Sequence, residues 1–197
     1  MIPSPLGSRA LAAPRLAAQF NLQRLLGSGA TGEVYLASDV RTGQQVALKL
    51  MAASPGTGQG PLPQNPGTRE LQASRRLRHP DIAAILDAGQ EADVAWLAVE
   101  FAPGLPLSRY TQASRLLPTA LVLRLGARLA AALACAHQQG VVHRDLKPSN
   151  VLVDLPSMGV KLLDFGVARI EDGQQTRTGL TLGTPAYMAP EQLAGLP

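Results

Sequence analysis

The order of patterns along the chain predicts an α+β fold in two parts: a five-stranded antiparallel sheet with one helix, then a mainly helical region. Three observations carry this expectation. Apolar runs broken by glycine fill residues 20–50, as in strands joined by tight turns. Two further apolar runs follow at 82–88 and 94–100. The longest helical periodicity comes only after them, at 119–139, with Leu121, Leu125, Leu129 and Leu133 at a spacing of four. Strands first and helices later distinguish this pattern from an alternating α/β chain.

At 197 residues the chain can bury a substantial core, and 46% apolar against 16% charged residues places it among globular proteins. The net charge of +4 comes from scattered arginines without a dense basic block. That suits handling of a polyphosphate and gives no basis for nucleic-acid binding. The single cysteine, Cys135, has no internal disulfide partner, so a reducing, cytoplasmic setting is expected, with Cys135 as a small buried hydrophobe. No run approaches the ~18 apolar residues of a membrane span, so no membrane segment is expected. Residues 1–19 carry Arg9 and Arg15 but are interrupted by Pro3, Pro5 and Pro14, and read as a loose leader and not a signal peptide.

In order, the first strand is expected at 20–26, the second at 33–38 and the third at 45–51. In the third, Val46 and Leu48 share one face while Ala47 and Lys49 share the other. Residues 52–67 are rich in proline and glycine and read as a connector. A short helix is expected at 68–77, bounded by Pro66-Gly67 and His79-Pro80. The strands at 82–88 and 94–100 complete the sheet, and residues 101–106 form a hinge. The helix at 119–139 would be roughly 30 Å long and is stopped by Gly140. Short strands are expected up to Val153 and at 160–163, and a polar, mobile loop at 171–184.

Three groups of residues carry chemistry. Gly27, Ser28, Gly29 and Gly32 lie between two strands of a hairpin, where backbone N–H groups can approach phosphates without Cβ clashes. A dinucleotide site would need a helix after the glycines, and Val34-Tyr35-Leu36 reads as a strand. Lys49, half-buried in an apolar strand, needs a partner, and Glu70 is the only acid between Asp39 and Asp81. The third group is the centre of the chain. In Val141-Val142-His143-Arg144-Asp145-Leu146-Lys147-Pro148-Ser149-Asn150-Val151-Leu152-Val153 a polar loop sits between two apolar, strand-like flanks, and Asp164-Phe165-Gly166 follows. Asp145 is a base candidate, Lys147 a cation for a transferring phosphoryl group, and Asn150 and Asp164 oxygen ligands for a hard metal.

Gly27–Val34, Val46-Ala47-Leu48-Lys49, His143–Asn150, Asp164-Phe165-Gly166 and Ala189-Pro190-Glu191 resemble, in order and spacing, the signature set of eukaryotic-type protein kinases. Residues 183–191 are similar to the bacterial Hanks-type Ser/Thr branch, and Lys147 favours Ser/Thr over Tyr acceptors. The resemblance implies a two-lobed kinase domain over 20–197, with an upper lobe at 20–100, a hinge at 101–106 and a partial helical lobe at 107–197. It implies Mg2+ with ATP as cofactor, Mn2+ being a possible substitute, and a protein substrate bearing the Ser or Thr acceptor.

The same resemblance implies finer roles. Val99 would be the gatekeeper, and Glu100 and Ala102 would offer backbone groups to adenine. Val34, Ala47 and Leu152 would sandwich the ring. Thr184 would contact Asp145 and Lys147 and join them as a catalytic residue. His143, Phe165 and Ile85 would stack in a spine whose next position falls on Ser74, where a larger apolar residue would pack better. Arg144 would meet a phosphorylated loop, with Thr176, Thr178 and Thr181 as candidate self-phosphorylation sites. Family members usually continue beyond Ala-Pro-Glu into helices that support the catalytic loop and supply an arginine to Glu191. This sequence is therefore expected to be a truncated catalytic domain, and a non-catalytic ATP-binding or interaction module is the alternative. A small-molecule phosphotransferase is disfavoured, since such enzymes generally lack a segment like 183–191.

Overall fold

A computed structural model of the chain describes residues 5–29, 32–53, 69–165 and 185–193, except for the side chains of residues 5, 69–71 and 185. The chain divides into two compact units, Met1–Arg75 with Ala84–Ala102, and Arg76–Ala83 with Pro103–Pro197.

The first unit is built on strands β1 (Phe20–Gly29), β2 (Gly32–Asp39), β3 (Gln45–Ala52), β4 (Ile85–Glu91) and β5 (Val94–Glu100), in the order β1-β2-β3-β5-β4 with every pairing antiparallel. The fourth strand begins three residues later than the sequence pattern suggested. Ile82 instead makes an isolated bridge to Leu162 in the second unit. Alternation in β3 is as expected: Val46, Leu48 and Leu50 are buried, while Ala47 and Lys49 are half-buried on the other face.

What covers the Val46–Leu48–Leu50 face corrects the expectation of a loose leader. Residues 5–19 form two short helices, α1 (Pro5–Ala12) and α2 (Pro14–Gln19). Ala10, Ala13 and Leu16 are buried in one cluster with Phe20, Tyr35, Ala37, Val46, Leu48, Leu50, Val94, Trp96 and Ala98. The prolines do not prevent this, because Pro14 occupies the first helical turn, where no N–H is needed. A Glu91 side-chain oxygen accepts the Arg15 and Leu16 N–H groups at 2.9 and 3.2 Å, satisfying donors left open at the α2 start. Arg9 pairs with Asp93 at 3.0 Å, and Gln19 donates to Asp87 at 2.5 Å. Leu6, Ala10, Ala13 and Leu16 recur at helical spacing, but mostly as alanine in a run interrupted by Pro5 and Pro14, which makes the pattern weak in the sequence. The sheet face gives the helices their reason to form.

Helix α3 (Arg69–Arg76) follows the connector, and Arg75 reaches Asp87 on β4 at 3.5 Å. The loop after α3 belongs to the second unit. There the buried Asp81 receives two guanidinium contacts from Arg128, one of them Nε–H to Oδ2 at 2.9 Å. Arg128 also donates to the Met158 carbonyl at 2.6 Å, and the Asp81 carbonyl accepts the Leu162 N–H at 2.8 Å.

Arg128 lies on α4 (Thr119–Gln138), which packs against β8 (Gly159–Leu162) through a face that includes the buried Leu125, Ala132 and Ala136. Gly140 ends the helix at φ +72°, a conformation glycine adopts without strain. By length and composition alone α4 would also suit a membrane span, which corrects the expectation that no run approached one. Cys135 is half-buried, not fully buried. A small sheet joins β6 (Leu105–Pro106), β7 (Val151–Asp154) and β8, so the expected hinge ends in a strand.

Two stability changes follow. Leu16→Ala should cost about 2–4 kcal/mol, because it opens a cavity under the sheet, and urea unfolding would read it. Arg128→Ala should cost about 2–3 kcal/mol. That is less than a fully buried pair, because the arginine side chain is 40% exposed while Asp81 is not. A loss below ~0.5 kcal/mol in either variant would contradict the packing described.

Candidate functional site

The glycine loop is the tip of the β1–β2 hairpin, with Gly27 opposite Val34, Ser28 opposite Glu33 and Gly29 opposite Gly32. Gly32 has φ +133°, and a Cβ there would lie 2.1 Å from the Leu50 carbonyl oxygen, so packing on β3 requires glycine. A Cβ at Gly27 or Gly29 would meet no atom within 4 Å. Protein packing therefore does not demand those two glycines, whereas close approach of an anion to the backbone would.

Lys49 pairs across the ladder with Val34 on one side and Leu97 on the other, and Ala47 with Leu36 and Val99. The register thus brings Val34, Ala47, Lys49 and Val99 onto adjacent strands. Glu100 ends β5, with its N–H donating to the Ala84 carbonyl at 2.8 Å, and Ala102 is buried just beyond. Glu70 lies on α3, but its side chain is outside the described residues, so the Lys49–Glu70 pairing is too. Ser74, one turn further, is buried with no partner for its hydroxyl among the described residues. An apolar side chain would remove that unpaired group.

In the second unit the polar loop leaves α4 through Val141, buried, and Val142, exposed, in irregular backbone. Contrary to expectation the entering flank is not a strand; only the exit, β7, is one. Between them the side chains converge. The Lys147 ammonium lies 2.7 Å from Asp145 Oδ2, and Asn150 Nδ2 donates to the same oxygen at 2.9 Å and to the Asp145 carbonyl at 2.8 Å. The Asp145 and Lys147 side chains are 34% and 22% exposed, so a substrate or water can reach both. Oδ1 of Asp145 has no bond among the described residues. The Asn150 amide nitrogen is committed to Asp145, which leaves its Oδ1 as the atom able to meet a cation.

Sequence reasoning missed Leu163, whose apolar side chain hides the use made of its peptide groups. Its carbonyl accepts from His143 Nε2 at 2.8 Å, and its N–H donates to the Asn150 carbonyl at 2.8 Å. Because a carbonyl only accepts, Nε2 carries the proton, and Nδ1 is left to accept the Asp145 N–H at 3.3 Å. His143 is buried and packs edge-on against Phe165, with ring centres 4.7 Å apart. Burial pushes its pKa below the usual histidine value, against an opposing pull from the Leu163 bond and the Asp164 and Asp145 charges. Asp164 follows Leu163 at φ +61°, and Arg144 has φ +65°, two left-handed positions in the segments this network holds. Leu152 on β7 is half-buried. Thr184 and the loop threonines Thr176, Thr178 and Thr181 lie outside the described residues.

Described residues contain no cluster of three His, Cys, Asp or Glu side chains suited to a metal. One aspartate and one asparagine fit a hard cation that takes its remaining ligands from phosphate and water.

The model of the protein kinase domain family matches residues 20–197. The chain belongs to the protein kinase family. It is 33% identical over 183 residues to the serine/threonine-protein kinase PrkC of Bacillus subtilis, covering 92% of this chain and 28% of that protein. Against the serine/threonine-protein kinase AfsK of Streptomyces griseus the identity is 39% over 180 residues, 91% of this chain and 22% of AfsK. The chain spans between 22% and 42% of the length of the curated kinases it resembles. The crystal structure of the Mycobacterium tuberculosis PknI kinase domain superposes with a TM-score of 0.70 at 29% identity, over 91% of this chain and 67% of that one. The five-stranded sheet and the partial helical lobe are those of the protein kinase fold.

The His143 environment of this kinase domain predicts a pH effect. A pKa depressed on folding means that the unfolded chain binds the proton first. The contribution is therefore fully present above the unfolded value of 6.5 and is lost as pH falls from there through the folded value. Unfolding free energy should fall between pH 7.5 and 5.5. Most of that slope should vanish in His143→Gln, and an equal slope in both proteins would contradict it.

Proposed function

We propose that this domain is a Ser/Thr protein kinase catalytic unit that transfers the γ-phosphoryl group of ATP to a protein hydroxyl. The observation carrying this reading is the Asp145–Lys147–Asn150 constellation, held beside Asp164 by the Leu163 peptide. The curated relatives, named as serine/threonine kinases, support the acceptor class.

In this reading Asp145 Oδ1 accepts the hydrogen of the acceptor hydroxyl and orients its oxygen toward the γ-phosphorus. The new bond is from that oxygen to phosphorus, and the bond to the ADP oxygen breaks. The hydroxyl proton passes to Asp145 and then to solvent. Lys147 turns from Asp145 toward the phosphoryl oxygens as their charge rearranges. Asn150 Oδ1 and the Asp164 carboxylate would hold Mg2+, or Mn2+ in its place, which neutralises phosphate charge when bound. The backbone of Gly27–Gly32 and the ammonium of Lys49 would bind the phosphates, with Glu70 orienting the lysine. Val34, Ala47, Leu152 and Val99 would enclose the adenine. Since the Glu100 N–H is committed to Ala84, its contribution there would come through the carbonyl, with the Ala102 backbone as the second contact. Thr184 would shape the acceptor site, and phosphate on Thr176, Thr178 or Thr181 would be drawn to Arg144.

Transfer of radiolabelled phosphate from ATP to a generic protein acceptor tests the reading. Asp145→Asn should lower the rate about 100-fold or more while nucleotide binding persists, and Lys49→Met should weaken nucleotide binding. Transfer no faster than in Asp145→Asn, with binding intact, would leave an ATP-binding module in place of an enzyme.

A further inference from the structure

Gln192 lies one residue past Ala189-Pro190-Glu191, in the helical turn Pro190–Leu193. The Leu193 N–H donates to the Ala189 carbonyl at 3.1 Å, which makes Ala189 the residue that opens this turn. Gln192 is then its third residue, the position from which a glutamine or glutamate can reach back to the first N–H. It does so: Gln192 Oε1 accepts the Ala189 N–H at 3.2 Å. The other end of the same amide is therefore fixed in direction, and Nε2 donates to the Arg144 carbonyl at 2.8 Å.

That carbonyl is half of the peptide unit entering Asp145. The other half, the Asp145 N–H, donates to the His143 carbonyl at 2.9 Å. Arg144 itself is left-handed at φ +65°, a conformation that a non-glycine residue keeps only when its surroundings hold it. Both polar groups of the 144–145 peptide are thus engaged, one from inside the loop and one by Gln192. We infer that Gln192 is a positioning residue for Asp145, its amide setting the peptide plane from which the Asp145 side chain projects. This rests on the kinase reading of Asp145, and the bridge itself is a statement about structure.

Two substitutions separate this role from simple helix capping. Gln192→Glu keeps the acceptor for the Ala189 N–H but has no hydrogen for the Arg144 carbonyl. Gln192→Lys keeps a donor and loses the acceptor. Measured on the full chain, Gln192→Glu should lower kcat about three- to tenfold with KM for ATP unchanged, and Gln192→Lys should restore most of it. Amide hydrogen exchange of residues 143–147 should speed up in Gln192→Glu and stay near the parent rate in Gln192→Lys. The inference is overturned if Gln192→Glu matches the parent in exchange, or if Gln192→Lys is the variant that loosens the loop. A parent chain without phosphate transfer would refute the kinase reading, while the exchange comparison would still decide the bridge.

Discussion

The Asp145 loop and the Asp164 turn depend on one peptide. Leu163 presents its carbonyl to the His143 imidazole and its N–H to the Asn150 carbonyl, so the loop carrying Asp145 and the turn carrying Asp164 share a single rigid unit. Each of these hydrogen bonds contributes only about 1 kcal/mol to stability. Their greater effect is geometric, since they fix in place groups that would otherwise have to be organised when a substrate arrives. Burial favours the neutral form of the histidine, the form in which Nδ1 can accept the Asp145 N–H.

Around that unit the fold supplies support from residues with no chemical role. Asp81 and Arg128 fasten the loop before β4 to α4, and Leu162, next to Leu163, donates its N–H to the Asp81 carbonyl. The strand that leads to the clamp is therefore anchored at the residue before it. In the first unit, α1 and α2 bury the outward side of β3, leaving Ala47 and Lys49 on the opposite side. On that opposite side a small residue and a cation stand beside the buried Leu36, Met51 and Leu97.

Sequence made the sheet and the motif residues legible because their patterns are local. Strand alternation at Val46–Lys49 and the Gly140 stop depend on near neighbours. The same holds for the Asp145–Asn150 spacing. What escaped depends on long-range partners or on backbone groups. In residues 5–19 the helical spacing of Leu6, Ala10, Ala13 and Leu16 is carried mostly by alanines and interrupted by Pro5 and Pro14, and its partner is a sheet face distant in sequence. Asp81 and Arg128 are 47 positions apart and carry no motif. Leu163 acts through its peptide, which any residue possesses, and Gln192 through an amide whose two ends find partners in separate segments. The entering flank at Val141-Val142 reads as strand-like in the sequence, because an apolar dipeptide has no period to tell a strand from irregular backbone.

A neutral, singly oriented His143 locks the loop carrying Asp145 to the Asp164 turn. Nitrogen-15 NMR of its imidazole at neutral pH tests this most directly. One fixed tautomer is expected, with Nε2 bearing the proton and showing a coupling across the bond to the Leu163 carbonyl, and Nδ1 unprotonated. A charged ring at neutral pH, or rapid averaging between the two tautomers, would contradict it.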